Sequence, residues 1–189
     1  MKLPNIEILD EKSNILRKKS EEVVFPLSKN DIQMIEEMLV YLEMSQIDEY
    51  NTKYGLRAGW GMSAIQIGIP KRIFVIAAEL PRDDEDNEQK FERYIIINPK
   101  IKSLSEEMIY VGEGEGCLSV NRDVEGIVPR YARITVSYQD IDGKIKEIRI
   151  REEISVVFQH EMDHLDGILF TDKINKNNPF KNAKIYREI

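Results

Sequence analysis

Hydrophobic and polar positions change their period several times along this chain. Between Ser28 and about Ser45, Ile32, Ile35, Met38, Leu39 and Leu42 recur at helical spacing, which predicts an amphipathic helix with one buried stripe. Ser28 is placed to cap that helix, and Asp31 falls in its first turn, where a negative charge suits the dipole. The following stretch, IDEYNTKYGLRAGWG, is polar and glycine-bearing and reads as a loop. A short helix is expected from near Met62 to the stop at Gly68-Ile69-Pro70. RIFVIAA (72–78) and YIIIN (94–98) are short apolar runs rich in β-branched residues and predict buried strands. The charged segment between them, ELPRDDEDNEQKFER, reads as a solvated loop.

Further on, ARITVSYQD and KIKEIRIRE flank Ile141-Asp142-Gly143, the pattern of a hairpin. From Glu152 the period returns to helical and runs to Asp166, with Gly167 as the expected stop. Ile154, Val156, Val157, Phe158, Met162 and Leu165 cover most of that helix's circumference, so it belongs in the interior, under a sheet. The elements together predict an α+β fold, with small, mostly antiparallel sheets packed around the helix at about 152–166.

Composition narrows the function classes. A chain of 189 residues is most simply one domain spanning 1–189. No apolar run approaches the ~20 residues of a membrane span, so no membrane is expected to be involved. The first residues, MKLPNIEILDEKSN, lack the basic-then-apolar order of a secretory signal. The net charge of −7 argues against strong nucleic-acid binding. Cys117 is the sole cysteine, so no intrachain disulfide can form, and a free thiol fits the reducing cytoplasm.

The interior helix carries the chemistry. Both histidines of the chain, His160 and His164, lie on it four residues apart, with Glu161 beside the first. At that spacing two imidazoles project from one face and can hold one transition-metal ion, while the neighbouring carboxylate can reach water bound there. The bland alternative is a buried helix with two hydrogen-bonded histidines; burying both without partners would be costly. A catalytic site of this kind needs a third protein ligand and an open fourth position. Asp166, Asp172 and Glu188 lie downstream, but the best soft ligand is upstream, at Cys117.

Cys117 sits in GEGEGCLS (112–119), where glycine recurs at every second position and lets the backbone approach something closely. The N–H of Leu118 could then face a developing oxyanion. A loose turn with a core cysteine is the plainer reading of that stretch alone. A third stretch, GWGMSAIQ (59–66), is a glycine turn entering a helix; the Gln66 amide could donate to a substrate oxygen, although most glutamines merely face solvent.

Taken together, GWGMSAIQ (59–66), EGCLS (115–119) and QHEMDHLDG (159–167) resemble the peptide deformylase family, whose motifs run G-x-G-L-A-A-x-Q, E-G-C-L-S and Q-H-E-x-D-H-L-x-G in that order. The second and third match throughout. The first departs at Met62 and Ser63, where the family has leucine and alanine. CLSVNRDVEG and the tail KINKNNPF are similar to the branch common in Gram-positive bacteria, which implies that AKIYREI (183–189) is extended rather than helical.

The resemblance implies removal of the N-formyl group from the initiator methionine of nascent polypeptides, with a transient ribosome contact. It implies one divalent metal ion held by Cys117, His160 and His164, usually Fe2+, with Zn2+, Ni2+ or Co2+ able to take the site. Glu161 would be the general base, and Leu118 N–H and Gln66 the oxyanion donors. Gly61 would offer backbone contacts to the peptide, and Val156 and Val157 would wall the methionine pocket. A Glu115–Arg130 pair would brace the cysteine loop. A zinc endopeptidase of the H-E-x-x-H type shares the helix but gives no reason for EGCLS or Gln66. A closed structural metal site would need a fourth Cys or His, and this chain has three in all.

Overall fold

The structure, a computed structural model, describes residues 2–81 and 89–189. Helix α1 spans Lys29–Gln46 and begins in a capping box. Ser28 Oγ accepts from the Asp31 N–H at 3.1 Å, and Asp31 Oδ2 accepts from the Ser28 N–H at 3.3 Å. Asp31 also pairs with Lys71 Nζ at 2.5 Å, so one carboxylate both starts the helix and ties it to the sheet. The buried face is Met34, Ile35, Met38, Leu39, Tyr41 and Leu42. Ile32, expected in the stripe, is 45% exposed. At about 100° per residue it falls on the flank of the buried arc, whose interior positions go to Asp31 and Met34.

A five-stranded sheet runs in the order β1-β2-β3-β6-β7, every neighbouring pair antiparallel. Its strands are β1 (Gly61–Ser63), β2 (Ile73–Glu79), β3 (Phe91–Leu104), β6 (Arg133–Gln139) and β7 (Ile145–Arg151). Side chains of β2 alternate between two helices. Ile73, Val75 and Ala77 join the core under α1, while Phe74, Ile76 and Ala78 join the core under a second long helix, α3 (Glu152–Leu165). Both faces of β2 are thus covered, which is why its sequence reads as an unbroken apolar run.

The β6–β7 hairpin leads directly into α3 (Glu152–Leu165). Phe158 of α3 sets its ring edge-on to Phe74 and Tyr94, with centroids 5.3 and 5.5 Å away. Gly167 ends the helix at φ +75°, and a Cβ there would lie 2.6 Å from the Arg17 carbonyl oxygen. Only glycine meets both demands. A smaller sheet, ordered β5-β4-β8, joins β4 (Met108–Tyr110), β5 (Arg130–Tyr131) and β8 (Arg187–Glu188). It anchors both ends of the glycine-rich segment that carries Cys117.

Several expectations needed correction. The loop expected after α1 contains helix α2 (Asp48–Tyr54), with Asp48 and Glu49 in its first turn and Gly55 at φ +61° as its stop. Its residues are polar and none is buried, so no apolar period announced it. Met62 lies in β1, and the short helix is a single 3-10 turn, Ala64–Ile67. The strand expected at 94–98 extends in both directions, through a bulge where Asn98 takes φ +50°. The charged segment after β2 is correspondingly shorter than 79–93, and its centre, 82–88, lies outside the described residues. In the tail, 181–185 is turn; only Arg187–Glu188 pairs as a strand, parallel to β4. A short helix α4 (Phe170–Lys173) follows α3.

Candidate metal centre and active site

Helix α3 presents His160 and His164 on one face, with ring centroids 4.9 Å apart. The loop after β4 brings Cys117 beside them. Donor atoms of Cys117, His160 and His164 lie within 4.8 Å of one another, and all three residues are buried. Cys117 Sγ is 3.3 Å from His164 Nε2 and accepts the Ser119 N–H at 3.4 Å. His164 Nδ1 is buried with no hydrogen-bond partner among the described residues.

Glu115 orients the other imidazole. Its Oε2 lies 2.9 Å from His160 Nδ1, which leaves Nε2 as the free ring nitrogen. Arg130 donates to both oxygens of Glu115, at 2.7 and 2.9 Å, and to Asp163 Oδ2 at 2.6 Å. The pair expected from the sequence is therefore a buried network of two carboxylates on one guanidinium. Burial by itself would push the Glu115 carboxyl up, but Arg130 and then His160 override it and hold it at about 2.

The two histidines are pushed apart electrostatically. Burial opposes a charge on His160, yet Cys117 and Glu115 outweigh it and raise its pKa well above the ordinary value. His164 is driven well below by burial, with His160 and Arg130 adding to the effect. Without a metal, His160 therefore holds a proton more readily than His164. Two imidazoles and a thiolate are also a donor set that suits a divalent transition metal, so the residues present fit such an ion.

Beside the cluster opens a cleft of about 570 Å³, lined among others by Gly61, Gln66, Cys117, Leu118, Val156 and Val157, with His160 and Glu161 at its floor. The residues expected from the sequence to bind metal, peptide or the oxyanion, and Glu161, all line it except His164, which is 1% exposed; Arg130 lies outside the lining, behind Glu115, and Asp166, Asp172 and Glu188 take no part in it. Glu161 is 3% exposed, and burial raises its pKa. No hydrogen bond engages the Leu118 N–H among the described residues. Gln66 Nε2 lies 3.2 Å from Ser119 Oγ and 3.6 Å from Cys117 Sγ, and its Oε1 accepts the Ser63 N–H at 2.8 Å.

Sequence patterns missed two residues here. Arg57 clamps the cysteine turn, donating to the carbonyl oxygens of Cys117 and Val120 at 3.0 Å each and to Asn121. Ser63 donates to Glu161 Oε2 at 2.6 Å. The departure from the family motif at 63 was visible in the sequence, but its partner was not. Nothing local marks Arg57, because its contacts are sixty or more residues away.

The chain matches the family model described as Polypeptide deformylase over residues 5–180. It is 44% identical over 172 residues to the peptide deformylase of Limosilactobacillus fermentum, covering 91% of this chain and 90% of that one. To the peptide deformylase of Staphylococcus epidermidis it is 45% identical over 166 residues, 88% of either chain. Among solved structures, a probable peptide deformylase from synechococcus phage S-SSM7 superposes with a TM-score of 0.71 at 34% identity, over 89% of this chain and 99% of that one. Lactobacilli and staphylococci among the relatives agree with the Gram-positive branch expected from the motifs. With its fold, its three motifs and these likenesses in agreement, the chain belongs to the polypeptide deformylase family, hydrolases that remove the N-formyl group from new polypeptides.

Proposed function

We propose that the cleft between β1, α3 and the cysteine loop is where this chain hydrolyses the formyl group of formyl-methionyl nascent peptides, releasing formate. The observation that carries this reading is the convergence of Cys117, His160 and His164, with donor atoms within 4.8 Å, beside the buried carboxylate of Glu161. These three residues would hold one divalent ion, Fe2+ in the first instance, with Zn2+, Ni2+ or Co2+ as substitutes. Such an ion supplies Lewis acidity and lowers the pKa of its water toward neutral.

The chain's own groups do the rest. Glu161 takes the proton of the attacking water and later delivers it to the leaving amine. The Leu118 N–H donates to the oxyanion as it forms, a contact worth about 3 kcal/mol of barrier. Gln66 Nε2 has two hydrogens; one serves Ser119, and the other, whose contact with sulfur is long and weak, turns to the oxyanion. Val156 and Val157 wall the apolar hole for the methionine side chain. Gly61 lies on β1, an edge strand, so an extended peptide can add to it by main-chain hydrogen bonds.

The whole of 1–189 is read as one catalytic unit, working in the cytoplasm and touching the ribosome transiently. No helix among the described residues is long and apolar enough to cross a membrane. The test is formate release from a formyl-Met tripeptide by protein prepared without oxygen, with bound metal measured alongside. Formate and free amine in equal amounts are expected. Metal-loaded protein that releases no formate, or cuts internal peptide bonds instead, would overturn the assignment.

A further inference from the structure

Ser63 departs from the motif of its family and makes a contact that alanine cannot. Its side chain is fully buried, and its Oγ reaches two atoms of one residue: Glu161 Oε2 at 2.6 Å and the Glu161 carbonyl oxygen at 3.0 Å. A hydroxyl has one proton to give. Of the two acceptors the carboxylate oxygen is the nearer, at 2.6 against 3.0 Å, so the proton goes there.

The other carboxylate oxygen is held differently. Oε1 packs over the main chain of Gly61, where a Cβ would stand only 2.6 Å from it. Gly61 lines the cleft, and Oε1 accepts no hydrogen bond among the described residues. Ser63 is itself fixed twice. Gln66 Oε1 accepts its N–H at 2.8 Å, and its backbone is paired with Phe74 across β1 and β2. The order Gln66–Ser63–Glu161 therefore links, through one serine, the amide and the carboxylate that serve the cleft.

We propose that the Ser63 hydroxyl is a positioning residue for Glu161, holding Oε2 so that Oε1 faces the cleft and the reacting water. The role rests on the reading of Glu161 as general base and adds to it a device that the family motif, with alanine at this place, does not contain. A carboxylate with two soft torsions below its Cβ has other rotamers available; the serine selects one. Preorganisation of this kind acts on turnover and leaves peptide binding alone.

The test is Ser63→Ala in the metal-loaded enzyme, alone and combined with Glu161→Gln, with crystal structures of parent and Ser63→Ala. The family motif has alanine at this place, so the fold accommodates the change. The expected result is kcat lowered about 10-fold, the range for losing a hydrogen bond to a charged group, with KM for a formyl-Met tripeptide and metal content unchanged. The Glu161 carboxylate should occupy a second rotamer in the crystal. In the Glu161→Gln background the serine change should alter the residual rate by less than about 2-fold, because there is no base left to aim. An unchanged kcat for Ser63→Ala beside a slow Glu161→Gln would overturn this role alone. An equal loss in both backgrounds would also overturn it, since the serine would then act without the carboxylate. Glu161→Gln turning over at the parental rate would instead remove the base assignment, and this role with it.

Discussion

His160 Nδ1 stands 2.9 Å from Glu115 Oε2, and that same carboxylate is gripped by two hydrogen bonds from Arg130. A metal-binding imidazole is aimed by what its second nitrogen touches. Here the aim is set by a side chain two residues before Cys117, so the loop that brings the thiol also orients the histidine. Glu115→Ala should therefore weaken metal binding by roughly 10- to 100-fold. Competition with a chelator of known affinity measures it; undiminished affinity would make Glu115 a structural brace only.

The same network gives a pH dependence. Burial would raise the Glu115 carboxyl, but Arg130 dominates and holds it near 2, below its ordinary 4.5. A carboxyl with a lowered folded pKa contributes stability that is complete above its unfolded value and is lost as pH falls toward the folded one. The window is thus from about 4.5 down to about 2. Thermal midpoints of metal-free protein should fall more steeply across the upper part of that window in the parent than in Glu115→Gln. Parallel slopes would contradict the ion pair's part in acid stability.

Gly61 is where backbone space and catalysis meet. A Cβ there would come within 2.6 Å of Glu161 Oε1 and 2.9 Å of both Glu161 Cγ and Val157 Cγ1, so these two side chains must shift to admit it. Gly61→Ala should fold and keep its metal, yet lose about 10- to 100-fold in kcat, the scale of a misplacement near 1 Å. Equal kcat values for variant and parent would show that the carboxylate's place is not critical.

Much of this was legible because the signals were local. The capping box of Ser28 and Asp31, the alternation of β2 and the pairing of His160 with His164 on α3 are all set within a few residues. What escaped depends on chain segments meeting in space. Arg57 gains its meaning from carbonyls at 117 and 120, and Ser63 from a carboxylate ninety-eight residues on. Helix α2 escaped for another reason: no residue in it is buried, so acidic charge in its first turn and the Gly55 stop mark it without an apolar stripe. In the tail, Ile185 alternates with polar neighbours yet lies in a turn and is 78% exposed, since no strand is there for it to pair with.

The choice of metal has its own consequence. Ferrous iron beside a thiolate is open to oxygen, and oxidation of Cys117 would remove one of three ligands. Activity of the iron form should decay in air, while nickel or cobalt forms keep theirs. Following formate release and Cys117 oxidation by mass spectrometry over the same hours checks this; equal lifetimes for all metal forms would count against iron.

The measurement closest to the centre of the account is made on Glu161→Gln and His164→Ala side by side, recording bound metal and formate release from a formyl-Met tripeptide. Glu161 is placed as a base and not as a ligand, so Glu161→Gln should retain about one ion per chain while kcat falls by roughly 10²-fold or more. His164→Ala should lose the ion and the activity together, because two ligands hold a metal poorly. A Glu161→Gln protein that carries its metal and releases formate at the parental rate would contradict the account.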